Sequence, residues 1–155
     1  MNDTSSPVSA PDIASLDQDL GADGATVIRS LAALLHDAGR ISDVDVFVDA
    51  ALAREALGST VLPGGLAMPH ARSHTVTTPS VAVARLPEPV TFSSGSEPVR
   101  LVLLIAAPGD DSVGYLALLQ KIATACVKYA FVSDLLDART PEALADHVAA
   151  AVAGR

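Results

Sequence analysis

Tryptophan is absent, and only two tyrosines and three phenylalanines occur among 155 residues. That leaves little material for an aromatic cage or a base-stacking platform. There is one cysteine, Cys126, so no internal disulfide can form, a usage that fits a reducing compartment. Positive charge is scarce: ten Lys and Arg against eighteen Asp and Glu give a formal charge of −8. With no Lys/Arg cluster to override it, this balance argues against nucleic-acid phosphates and anionic lipid headgroups as ligands. Long hydrophobic runs are missing too. The longest, Leu101 to Pro108, falls far short of the roughly 20 residues of a membrane-spanning helix, so no direct membrane insertion is expected. The opening MNDTSSPVSAPD has no basic start followed by an apolar block, so no secretory signal is expected and the cytoplasm is the natural compartment.

What is present is a chain half hydrophobic by composition, enough for one core. Residues 1–22 mix Ser, Pro, Asp and Ala without periodicity and read as a flexible leader; residues 23–155 read as one domain. Val27, Ile28, Leu31, Leu34 and Leu35 recur at helical spacing up to Gly39. Ser42 with Asp45 suggests a capping box for a second helix that ends at Gly58, placing Arg54 in its last turn. Residues 58–80 are rich in Gly, Pro, Ser and Thr and read as a long structured loop with one short strand at 65–68. Residues 81–86 and 99–108 read as strands, the second buried on both faces. A helix over 113–130 with a stripe of Leu116, Leu119, Ile122, Ala123 and Cys126 follows, then a short helix over 131–138 and a last one opened by Thr140 and Pro141. Helices before and after a run of strands predict an α/β fold, a mixed sheet with helices on both faces.

Of four histidines, His36 and His147 fall within helical patterns and read as ordinary solvated or half-buried side chains, while His70 and His74 lie in the Gly/Pro-rich segment. His70 follows Pro69, whose ring fixes its own φ and biases Met68 toward an extended backbone, so the imidazole is presented from a stiff support. Phosphoryl transfer to a side chain needs a neutral imidazole nitrogen, its other nitrogen held by a hydrogen bond, and donors for the phosphoryl oxygens. Arg54 or Arg72, the Ser59 and Thr60 hydroxyls and the backbone N–H groups of Gly64 and Gly65 are candidates for the last task. A metal site on His70 and His74 lacks a helix and a third, carboxylate ligand, and no metal or cofactor is expected. Neither GxxxxGK[ST] nor GxSxG occurs, which removes nucleotide-kinase and serine-hydrolase readings. Cys126, between Ala125 and Val127, reads as a packed core thiol.

The stretch AREALGSTVLPGGLAMPHARSHTV, residues 53–76, resembles the phosphorylation-site signature of enzyme IIA domains of the bacterial phosphoenolpyruvate-dependent sugar phosphotransferase system. The fructose/mannitol class, type 2, reads approximately REELGST, a short spacer, then G-(I/L)-A-(I/M)-PH-A. The resemblance extends through VAVARL, PVRLVLLIAAP and the TPEAL helix and covers roughly residues 22–152. It implies a mixed, about five-stranded sheet flanked by helices. It implies that His70 takes a phosphoryl group from the phosphohistidine of the carrier HPr as a tele-phosphohistidine intermediate. The group then passes to a cysteine of an enzyme IIB, and so indirectly serves a membrane enzyme IIC, with fructose the favoured sugar. Arg54, Ser59 and Thr60 match the family's phosphate-stabilising positions. A second histidine commonly found before the next helix is replaced here by Tyr115. A regulatory, nitrogen-related member acting by phosphorylation-dependent protein binding is the alternative implied by the same resemblance.

Overall fold

A computed structural model describes residues 7–93 and 95–153 of the chain. The strands are β1 (Ala14–Leu16), β2 (Val61–Leu62), β3 (Leu66–Ala67), β4 (His70–Ser73), β5 (Ser80–Thr91) and β6 (Pro98–Pro108). The helices are α1 (Gly24–Asp37), α2 (Val44–Leu57), α3 (Ser112–Cys126), α4 (Tyr129–Asp137) and α5 (Pro141–Val152). The sheet runs β1-β5-β6-β3-β2, with β4 also paired to β6. β5 and β6 form its antiparallel centre, while β1, β3 and β4 add in parallel, as expected for a mixed sheet.

The expected five lanes and the observed six strands are reconciled by the register on β6. Leu66 and Ala67 oppose Leu101 and Val102, and His70 and Ala71 oppose Ile105 and Ala106, the same offset on both sides of Met68 and Pro69. β3 and β4 are therefore one lane interrupted for two residues. Pro69 has no N–H to give to a ladder, and the Met68 N–H turns the other way, donating to the Thr60 carbonyl at 3.1 Å. The interruption sits immediately before His70.

Alternate residues of β6 bury on opposite faces, which is why its sequence is a continuous apolar run. Val102, Leu104 and Ala106 pack with Val27, Leu31, Phe47 and Val48 of α1 and α2. Leu101, Leu103 and Ile105 pack with Leu118, Ile122, Leu135, Leu144 and Val148 of α3, α4 and α5. Helices thus cover both faces. No single helix among the described residues is long and apolar enough to cross a membrane.

Local expectations change: the segment 58–80 also holds β2 and β4, and α3 ends at Cys126 with α4 opening at Tyr129. Residues 1–6 of the expected leader lie outside the described residues, but the leader's remainder is built into the fold. Val8 accepts from the Val81 N–H at 2.8 Å, Ser9 Oγ donates to the Val81 carbonyl, buried Arg40 donates to the Pro7 carbonyl, and 14–16 form an edge strand. Three strand residues between Asp-rich flanks are too short a run for periodicity to reveal. The N-cap of α2 is Asp43, whose carboxylate accepts from the Val46 N–H at 3.1 Å; Ser42 Oγ instead donates to the Thr75 carbonyl. On α3 the buried face is Leu118, Ile122, Ala125 and Cys126, which turns Leu116 outward. The α5 start is as read: Thr140 Oγ1 accepts from the Ala143 N–H with Pro141 in the first turn.

Candidate active site

Two chain segments and two helix ends meet at His70. β2 follows α2 after the turn at Gly58, so the last turn of α2 with Arg54 and Glu55 is linked closely to the β2–β3 hairpin. β4 begins with His70, parallel to the end of β6, and the chain leaving β6 enters α3, capped by Asp111 accepting from the Gly114 N–H at 2.8 Å. Tyr115 lies in that helix's first turn. Its ring centroid is 6.0 Å from that of His70, tilted by 53°.

His70 is 6% exposed. Its Nδ1 lies 2.8 Å from the Met68 carbonyl oxygen. A carbonyl can only accept, so Nδ1 carries the proton and Nε2 keeps its lone pair. Among the described residues no hydrogen bond reaches Nε2. Burial drives the His70 pKa below the ordinary imidazole value, opposed by the Met68 hydrogen bond; the positive charge of Arg54 lowers it further and the negative charge of Glu55 raises it. At neutral pH the side chain is a neutral imidazole in a fixed tautomer, which is the nucleophilic form.

Arg54 Nη1 donates to the Gly58 carbonyl at 2.7 Å, an arrangement that pins the guanidinium at the C-terminal end of α2. Arg72, exposed on β4, has its guanidinium carbon 6.0 Å from the Tyr115 ring centroid. Burial raises the Tyr115 pKa, with Arg54 and Arg72 pulling the other way, so the hydroxyl stays protonated at neutral pH. Two guanidinium groups, a phenol and a neutral imidazole therefore share one neighbourhood whose charges reach one another.

Thr60 is buried, and its hydroxyl donates to Glu55 Oε1 while its N–H donates to Glu55 Oε2 at 3.3 Å. Its carbonyl receives the Met68 N–H, and the Met68 carbonyl receives the His70 Nδ1–H. This relay ties the end of α2 to the imidazole through two backbone groups. Ser59 is exposed; its Oγ accepts from the Val61 N–H at 3.1 Å and from Ser93 Oγ at 3.4 Å, and no hydrogen bond links it to His70 among the described residues. Gly64 and Gly65, with φ of 97° and 81°, make the β2–β3 turn, a backbone shape that suits glycine. The Gly64 N–H donates to Glu97 at 3.3 Å and not to the His70 region. His74 is exposed just past β4, and among the described residues no group of three or more His, Cys, Asp or Glu side chains is placed to hold a metal ion. His36 and His147 sit on α1 and α5 beside Asp37 and Asp134. Cys126 is buried, its thiol pushed up to about 11 by burial, an unreactive core position.

Sequence reasoning had not singled out Glu55 or the Met68 carbonyl. Glu55 was within reach of it, one residue after Arg54 and five before Thr60. The carbonyl was not, because a backbone acceptor leaves no mark in the sequence.

Residues 16–150 match the family model described as "Phosphoenolpyruvate-dependent sugar phosphotransferase system, EIIA 2". The "PTS system fructose-specific EIIA component" of Haloferax volcanii is 31% identical over 126 residues, covering 81% of this chain and 82% of that protein. The "PTS system fructose-specific EIIABC component" of Bacillus subtilis is 31% identical over 121 residues, 77% of this chain but only 19% of its own length. The crystal structure of the nitrogen regulatory protein IIA-Ntr from Neisseria meningitidis superposes with a TM-score of 0.78 at 26% identity, over 91% of this chain and 96% of that one. The Escherichia coli complex of enzyme IIA and phosphorylated enzyme IIB for mannitol matches with a TM-score of 0.72 at 24% identity, over 93% of this chain and 96% of that one.

Proposed function

Because this chain belongs to the EIIA type 2 family of the phosphoenolpyruvate-dependent sugar phosphotransferase system, and is thus a phosphotransferase component, we propose that His70 is its phosphoryl acceptor. The observation that carries this reading is the hydrogen bond from His70 Nδ1 to the Met68 carbonyl, which leaves Nε2 as the one ring nitrogen with a lone pair. In the forward step the Nε2 lone pair attacks the phosphorus of the HPr phosphohistidine. The donor's N–P bond breaks, and its electron pair returns to the donor imidazole. His70 keeps its Nδ1 proton, so the phosphorylated ring bears positive charge, which the Met68 carbonyl and the Glu55 carboxylate favour. A cysteine thiolate of enzyme IIB then attacks phosphorus, the pair of the N–P bond returns to Nε2, and the starting tautomer is regenerated.

Arg54 and Arg72 are the groups we assign to the phosphoryl oxygens, as guanidinium forks suited to a dianion. Tyr115 stands where the family resemblance would put a second histidine. It offers a neutral hydroxyl and a ring wall beside His70, not a second titratable imidazole. Thr60 we assign to orientation through the Glu55 relay, and Ser59 to the rim. Leu57, Val113 and Leu116 are 85%, 79% and 64% exposed and lie next in sequence to this cluster, Leu57 at the end of α2 and the other two flanking Tyr115. They suit a transient apolar docking surface for HPr and enzyme IIB in turn, acting in the cytoplasm. The fructose-specific relatives favour fructose uptake through a membrane enzyme IIC. The match to IIA-Ntr favours a second reading, regulation by phosphorylation-dependent protein binding.

Incubation with phosphoenolpyruvate, enzyme I and HPr, followed by intact-mass measurement, tests the acceptor. One acid-labile phosphoryl adduct on the wild type and none on His70→Ala is expected; an unmodified wild type would overturn it. Onward transfer to a fructose enzyme IIB in the same mixture separates transport from regulation.

A further inference from the structure

Only two lysines occur in the whole chain, Lys121 and Lys128, and both line one cleft of about 640 Å³ between α3, α4 and α5. We propose that this cleft binds a phosphate monoester with a hydroxylated body, of hexose-phosphate size. None of His70, Arg54, Arg72 or Tyr115 lines it, and the inference does not rest on the reading of His70.

The volume lies in the range typical of small-molecule sites, roughly 300–1,000 Å³. The charge is what sets the cleft apart. In a molecule of net charge −8 its walls carry two ammonium groups against one carboxylate, Asp134. Among the described residues neither lysine is in an ion pair, whereas Asp134 already faces His147, with Oδ2 and Nδ1 3.9 Å apart. Lys121 lies on α3 and Lys128 immediately precedes α4, whose axis is bent 83° from that of α3, and each ends in a compact charge on a flexible four-carbon stem. Two such point charges match the double charge of a phosphate dianion.

The rest of the lining selects the body of the ligand. Asp134 repels a bare anion but accepts hydrogen bonds from hydroxyls; Gln120, Thr124 and His147 add an amide, a hydroxyl and an imidazole. Phe131 is the only aromatic carbocycle in the lining and is itself buried, so a nucleobase would find no exposed ring to stack on. Alanines complete the wall and give the carbon skeleton of a sugar a smooth apolar surface.

The test uses the full chain labelled with 15N and titrated separately with fructose 1-phosphate, fructose, inorganic phosphate and phosphoenolpyruvate. Saturable shifts of the Lys121, Thr124, Lys128 and His147 amides are expected with the hexose phosphate, at affinity at least about tenfold above the other three. Lys121→Gln/Lys128→Gln should lower that affinity about tenfold or more, with the remaining spectrum intact and phosphoryl acceptance from phospho-HPr retained. His70→Ala should bind the hexose phosphate as the wild type does, so failure of the acceptor reading and failure of this one are told apart. No saturable shift, equal or tighter binding of phosphate or phosphoenolpyruvate, or wild-type affinity in the double lysine variant would each overturn the proposal.

Discussion

Replacing Thr60 by valine distinguishes a hydroxyl that orients the site from one that holds the phosphoryl group. In the resting structure that hydroxyl is committed to Glu55, and Thr60 is 6% exposed, so the substitution removes a part-buried hydrogen bond to a carboxylate while keeping the side-chain shape. Such a bond contributes about 1.5–3 kcal/mol. The added methyl group recovers up to about 0.8 kcal/mol if it is fully buried, and Glu55 retains the Thr60 N–H as a partner, leaving a net loss of about 1–2 kcal/mol. For a chain of this length the midpoint of thermal unfolding should fall by about 2–8 °C. Urea denaturation measures the stability, and the initial rate of phosphoryl acceptance from phospho-HPr measures the chemistry. Because the Met68 carbonyl and Arg54 remain, that rate should change less than about threefold, well under the cost of losing a positioned transition-state donor. Thr60→Ser should recover the stability. Unchanged stability in Thr60→Val with a rate reduced about a hundredfold would refute the relay and make Thr60 a direct phosphoryl ligand.

Tyr115→Phe should accept phosphate within about threefold of the wild-type rate, whereas Tyr115→Ala, which uncovers His70, should raise the His70 pKa toward 6.5; ring-proton NMR titration of His70 in both variants measures this. Since burial holds the folded His70 pKa below its unfolded value of 6.5, the unfolded chain binds the extra proton first. The contribution of His70 to stability is therefore complete above about pH 6.5 and is lost as pH falls below it; urea titrations of wild type and His70→Gln should converge toward low pH. Arg85 is buried, donates to the carbonyls of Leu135, Leu136 and Ala138 and forks onto both Asp17 oxygens, so Arg85→Met should cost about 3–5 kcal/mol in chemical denaturation. Asp17→Asn, which leaves the buried Arg85 guanidinium facing a neutral amide with one acceptor oxygen, should cost about 1–3 kcal/mol.

The parts of this fold that could be read from the sequence are those with a period or a cap. The apolar spacing of α1, the doubly buried run of β6 and the Thr140–Pro141 start of α5 each have a local cause, and each stands where that cause puts it. β3 stands within the short strand expected at 65–68, but β1, β2 and β4 were hidden because strands of two to four residues are specified by their neighbours: 70–73 is held by β6, 61–62 by β3 and 14–16 by β5. Leu116 shows the limit of a periodic stripe. Leu116 and Leu118 are both apolar, and only the packing of α3 against β6 and α5 decides which is buried. At the site, His70 directly follows Pro69, its ring centroid is 6.0 Å from that of Tyr115, and the Arg54 charge acts on it. The commitment of Thr60 to Glu55 depends on how the α2–β2 turn folds back, and residue types alone do not contain it.

The most direct measurement is of the phosphorylated protein itself. Long-range 1H–15N correlation and 31P coupling on a sample charged through enzyme I and HPr identify which imidazole, and which of its nitrogens, bears phosphorus. The account predicts phosphorus on Nε2 of His70 with the Nδ1 proton still present. Phosphorus on Nδ1 of His70, or on His36, His74 or His147, would contradict it.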